Sequence, residues 1–105
     1  TNVNIPAVGK RVKITAYSWN SANNTAGASV ILTIWDGIVG SGTQLQASSI
    51  TSAGASQGYQ IFSTVIVQPS TGTKTYNVGF NASGGGTASF NSSATSPAFI
   101  SVELL

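Results

Sequence analysis

The chain has 105 residues, of which four are Lys or Arg, two are Asp or Glu, and none is His, Cys or Met. That inventory excludes thiol chemistry, disulfides and imidazole- or thiolate-based metal sites, and it leaves Asp36 and Glu103 as the only side-chain carboxylates. A formal charge of +2 spread over Lys10, Arg11, Lys13 and Lys74 is too little to neutralise a run of phosphates, so nucleic acid is not an expected partner.

The N-terminal stretch Thr1–Pro6 has neither the basic region nor the long apolar run of a signal peptide. From Arg11 the residues alternate: Val12, Ile14 and Ala16 fall on one side of a strand, with Arg11, Lys13, Thr15 and Tyr17 on the other. The cations Lys10, Arg11 and Lys13 read as a solvated strand edge. Asn20 to Gly27 reads as a polar loop. A second strand follows over Ala28–Trp35, apolar at Val30, Leu32 and Ile34, and Asp36-Gly37 turns the chain. Thr43 to Ile50 reads as a polar, peripheral strand.

Gln57 to Gln68 is the longest β-rich run, with Tyr59, Ile61, Ser63, Val65 and Val67 opposing Gln60, Phe62, Thr64 and Ile66. Pro69 stops it, since proline cannot donate to a ladder. Thr73 to Phe80 alternates again, with Tyr76, Val78 and Phe80 on one face. Ser83-Gly84-Gly85-Gly86 reads as a hairpin loop, Thr87 to Asn91 as a short strand, and Pro97 as the opening of a last strand to Leu105. No window carries the apolar spacing of an amphipathic helix. Seven or eight short strands at this spacing predict an all-β fold, an antiparallel β-sandwich or jelly roll, in one domain spanning 1–105. With 41% hydrophobic residues, the chain still has no apolar run near the roughly 18 residues of a membrane span, so no membrane insertion is expected.

Large apolar residues stand on both faces of several strands, and only one face of a sandwich strand meets the core. Trp35, Phe62, Phe99 and Leu105 are the candidates for a subunit interface, which would also shelter the terminal Leu104-Leu105 pair. Trp19, with Asn20, Asn23 and Asn24 beside it, is the candidate for a glycan contact, because aromatic faces bordered by amides suit sugars. Asp36 and Glu103 would be the only acid–base pair for glycoside hydrolysis, but they read better as a turn residue and a strand-surface charge. The run Ser83–Thr87 lacks the lysine and following helix of a phosphate loop. Asn23-Asn24-Thr25, Asn81-Ala82-Ser83 and Asn91-Ser92-Ser93 match the glycosylation acceptor pattern, which arises readily in so Asn/Ser/Thr-rich a chain. No catalytic residue, cofactor or metal is expected.

Three segments together carry a resemblance: Gly9-Lys10-Arg11-Val12-Lys13-Ile14-Thr15-Ala16-Tyr17; Leu32-Thr33-Ile34-Trp35-Asp36-Gly37 with Gly40-Ser41-Gly42-Thr43; and Pro97-Ala98-Phe99-Ile100-Ser101-Val102-Glu103. The chain resembles the small β-sandwich domains of tailed-bacteriophage virion proteins, which are similar to tumour necrosis factor-like trimeric jelly rolls. The resemblance implies a non-enzymatic homotrimer on the virion exterior, serving capsid decoration or host attachment. Its implied partners are copies of itself, other virion proteins and a host-surface glycan. Thr1 is a residue that commonly follows a removed initiator methionine. The length therefore suits a complete decoration or head-fibre subunit, and equally the distal head of a longer tail fibre. The runner-up expectation is a carbohydrate-binding module of a secreted enzyme or adhesin.

Overall fold

The computed structural model describes residues 1–95 and 98–105. Among them eight strands and no helix build an antiparallel β-sandwich. The strands are β1 (Asn2–Ile5), β2 (Val12–Asn23), β3 (Ser29–Asp36), β4 (Thr43–Thr51), β5 (Tyr59–Val67), β6 (Gly72–Ser83), β7 (Ala88–Asn91) and β8 (Phe99–Leu104). One sheet runs β1-β6-β3-β4; in the other, β2 is flanked by β5 on one edge and by β7 and β8 on the other. Pro97, expected to open the last strand, lies outside the described residues.

The alternation seen in the sequence sets the core. Val12, Ile14 and Ala16 of β2 meet Val30, Leu32 and Ile34 of β3, with Ile5, Ile61 and Tyr76 closing around them, all buried. Each fully buried aliphatic side chain contributes about 1.5–3 kcal/mol, so this one layer supplies most of the stability of a chain without a disulfide. The polar strand expected at Thr43–Ile50 is β4, an edge strand as predicted.

Several expectations are corrected. The polar stretch from Asn20 does not leave the sheet: β2 continues to Asn23, because β7 pairs with Asn20–Asn23 and satisfies the backbone there. The basic cluster is not on a sheet edge, since β2 is the central strand of its sheet. The triple glycine is not a hairpin loop; it carries the chain from β6 in one sheet to β7 in the other, and all three glycines sit at positive φ (79, 95 and 71°). Strand β1 was not expected. It forms by antiparallel pairing of Asn2–Ile5 with Gly72–Thr75 of β6, and Thr1 and Tyr76 continue the ladder, with Tyr76 N–H donating to Thr1 O at 2.8 Å and the Thr1 ammonium donating to Tyr76 O at 2.6 Å.

Strands β7 and β8 lie end to end along one edge of β2. Carried past Asn20↔Asn91, the β7 register would set Ala94 opposite Tyr17, but Phe99 stands there instead. One edge strand is thus interrupted beside Ser18 and Trp19.

Tyr76 is fully buried and its phenol has no hydrogen-bond partner. Burial pushes its pKa above the ordinary 10.0, and the Asp36 carboxylate pushes it further the same way. The folded state therefore holds the phenolic proton more tightly than the unfolded chain does. This contribution to stability is complete below pH 10.0 and is lost as the pH climbs through the raised value. Tyr76→Phe should leave stability at neutral pH within about 1 kcal/mol of the parent, because no bond is broken. It should also weaken the alkaline loss; urea midpoints at neutral pH and at about pH 11 give the comparison.

Candidate binding face

The outward-facing residues of β2 are Lys13, Thr15, Tyr17 and Trp19, alternating with the buried Val12, Ile14, Ala16 and Ser18. Cross-strand pairing extends each into a row. Tyr17 stands opposite Phe62 on β5 and opposite Phe99 on β8, giving an aromatic row across three strands. The Tyr17 and Phe99 rings are 5.4 Å apart. Phe62 is 63% exposed, Phe99 46% and Trp19 42%, so the patch faces solvent.

The next row is polar. Thr15 stands between Thr64 and Ser101, and the Thr15 and Thr64 hydroxyls are hydrogen-bonded at 3.1 Å. The third row is Ile66, Lys13 and Glu103, in which the lysine faces a carboxylate directly across the ladder. Leu105 extends β8 by a backbone bond to Arg11 O at 2.9 Å and remains half-exposed, so the chain's last residues are not sealed inside the sheet. An aromatic row, a hydroxyl row and a nearly neutral mixed row make a flat surface suited to contact and poor in titratable groups.

The residues expected at an interface do not all share this surface. Phe62, Phe99 and Leu105 do. Trp35 belongs to β3 in the other sheet, half-buried, where its Nε1 donates to Thr33 Oγ1 at 2.8 Å. Trp35, Thr33 and Val39 close over Gly79, where an added Cβ would collide with the Thr33 hydroxyl. A loop of the chain's own thus occupies the surface beside Trp35.

The expected glycan contacts also divide. Trp19 joins the aromatic patch. Asn20 sits half-buried at the irregularity between Ser18 and Ser21, its amide against Gly58, which has no room for a side chain. Asn23 is completely buried and is corrected from a surface residue to a structural one. Its Nδ2 donates to Ser29 O at 3.1 Å and to Gly85 O at 3.2 Å, while its Oδ1 accepts from Thr25 N–H at 2.9 Å. Asn24 is exposed, but its Oδ1 accepts from Thr87 N–H at 2.9 Å. Together the two amides tie the β2–β3 turn to the glycine crossover, and the acceptor pattern that begins at Asn23 is closed to modification. The role of Tyr17 as the centre of the row was not visible before its two pairing partners were known.

Asp36 and Glu103 lie in different sheets, Asp36 at the end of β3 and Glu103 on β8. The cleft lined by Tyr17, Val78, Phe80, Ala98, Phe99 and Ile100 includes neither of them. Neither a family model, nor a curated protein, nor a solved structure matches this chain.

Two substitutions separate the structural amide from the surface aromatic. Asn23→Leu nearly keeps the volume of a fully buried side chain but removes the three hydrogen bonds it makes to the backbone of Thr25, Ser29 and Gly85, and should cost about 1–3 kcal/mol in chemical denaturation. Trp19→Ala should cost less than about 1 kcal/mol in the same assay, because its ring faces solvent.

Proposed function

We propose that this chain is a non-enzymatic structural module that assembles with copies of itself through the outer face of β5, β2 and β8. The fuller form of the proposal is a homotrimeric subunit on the exterior of a phage virion, decorating the capsid or serving host attachment alongside other virion proteins. The observation that carries it is the Phe62–Tyr17–Phe99 row on a sheet face that a two-layer sandwich leaves to water. Aromatic residues of this kind anchor protein interfaces, because they remove much apolar area from water at little cost in side-chain entropy. The surrounding hydroxyls and the Lys13–Glu103 pair supply a polar rim without a large net field.

One feature favours a second reading, a carbohydrate-binding surface. Trp19 and Tyr17 project from alternate positions of one strand and are bordered by hydroxyls, a geometry on which sugar rings stack.

Sedimentation equilibrium at micromolar concentration distinguishes the two. Assembly through this face requires an oligomer, trimeric in the fuller form, that Phe62→Ser weakens about tenfold or more while the fold is retained. A well-folded monomer that binds a glycan array, with binding lost in Trp19→Ala, would replace assembly with sugar recognition.

A further inference from the structure

Strands β7 and β8 lie in the opposite sheet from the strand that leads into them. β6 belongs to the first sheet, and residues 84–87 carry the chain across to β7. Among the described residues, β7 and β8 pair with β2 and with no other strand. On the inner side Ala88, Phe90, Ile100 and Val102 pack against the core, and Phe90 stacks on Phe80 with ring centroids 3.9 Å apart. The two strands thus form one arm, laid along a single edge of β2 and joined to the preceding strands by one crossing.

That crossing has a demanding backbone. Gly84, Gly85 and Gly86 follow one another at φ 79, 95 and 71°, a region that L side chains avoid and glycine enters freely. This path is what returns the arm to its own body. Gly86 is held in place, its Cα set against the side-chain oxygens of Asn23, Asn24 and Thr25, where a Cβ would collide. Gly85 stands in the open: a Cβ there would meet nothing, and its carbonyl accepts from Asn23 Nδ2 at 3.2 Å.

We infer that β7 and β8 exchange as one arm between two copies, pivoting at Gly84 and Gly85, so that each arm completes the β2 edge of the other copy. The structure itself fixes the occupant of that edge. A second copy's arm carries the same residues, so it makes the same ladders to Asn20–Asn23 and Val12–Tyr17 and the same stack on Phe80. The closed and exchanged forms therefore differ only at the hinge and in the entropy of association, and concentration shifts the balance between them. Charge does not oppose the exchange: the arm's one charged side chain, Glu103, faces Lys13 in both forms. Each aromatic row would then be built from two chains, Phe62 and Tyr17 from one and Phe99 from the other. The exchange does not require that face to be an interface, so the two proposals stand or fall separately.

The chain has no cysteine, so introduced ones report alone. Ile14 on β2 and Val102 on β8 face each other across the ladder on the core side, where contact between the surfaces of two copies cannot bring them together. Facing antiparallel residues have Cα atoms about 4.5–5.5 Å apart, within disulfide range. Mixed at high concentration and then mildly oxidised, Ile14→Cys and Val102→Cys should give a disulfide between residues 14 and 102 of different copies, read by peptide mass spectrometry. If either variant fails to fold, Thr15→Cys mixed with Ser101→Cys, both in a Phe62→Ser background, makes the same measurement on the outer side.

The hinge is tested separately. Gly85→Ala adds a methyl that meets nothing, so it acts only through the φ of 95° that the closed path requires. In the Phe62→Ser background, which weakens association through the aromatic face, it should raise the dimer association constant about tenfold or more in sedimentation equilibrium. Gly9→Ala, at φ 85° between β1 and β2 with the same open space around it, should leave that constant unchanged. A mixture without the cross-copy disulfide, or Gly85→Ala no more dimeric than Gly9→Ala, would each overturn the inference.

Discussion

One sheet of this sandwich exists only because β2 pairs along both edges at once, with β5 on one side and with β8 and then β7 on the other. Among the described residues no other pairing links these three strands. Inward from β2 point Val12, Ile14 and Ala16, which with β3 make the core; outward point Lys13, Thr15, Tyr17 and Trp19, which define the exposed face. Because the side-chain period of a strand is two, a slip of one residue anywhere in these ladders would exchange the two sets. Burial of the inner set thus fixes the outer face as well.

The near absence of charge shapes what fills the gaps. Where other small domains use ion pairs or disulfides at their joints, this one uses backbone partners and amide side chains, and Asn23 is the clearest instance. A neutral amide is a reasonable choice at a fully buried joint, since it satisfies donors and acceptors together without the desolvation cost of a charge. The economy is not complete. The hydroxyls of Ser18, Ser52, Ser63 and Tyr76 are buried without partners, each forgoing the hydrogen bond it would make in water.

Much of the layer structure was legible in the sequence, because apolar alternation reports burial directly. Val12–Ala16, Val30–Ile34 and the polar edge strand at Thr43 were read from period and composition alone. What escaped was set by non-local pairing. Asn20–Asn23 has loop composition but strand conformation, since only the arrival of β7 gives its backbone partners. Glycines 84–86 look like a hairpin until the two flanking strands prove to lie in different sheets. Phe62 and Phe99 were separately conspicuous as spare apolar residues. Their convergence on Tyr17 depends on registers spanning most of the chain, which no local pattern contains. Trp35 looked equally spare, and only its bond to Thr33 and the neighbouring Val39 account for its burial.

The interruption between β7 and β8 bears on how this chain tolerates change. An edge strand laid down in two pieces has two independently anchored ladders, one ending at Asn91 and the other beginning at Phe99. Residues gained or lost between them shift neither ladder, so length variation is absorbed there, whereas within β2 it would displace everything beyond it. The two ladder ends that flank that segment, Asn91 opposite Asn20 and Phe99 opposite Tyr17, stand on either side of Trp19 at the margin of the aromatic face. A lineage of such proteins could therefore alter what surrounds its contact surface by insertion alone, with the scaffold beneath left untouched.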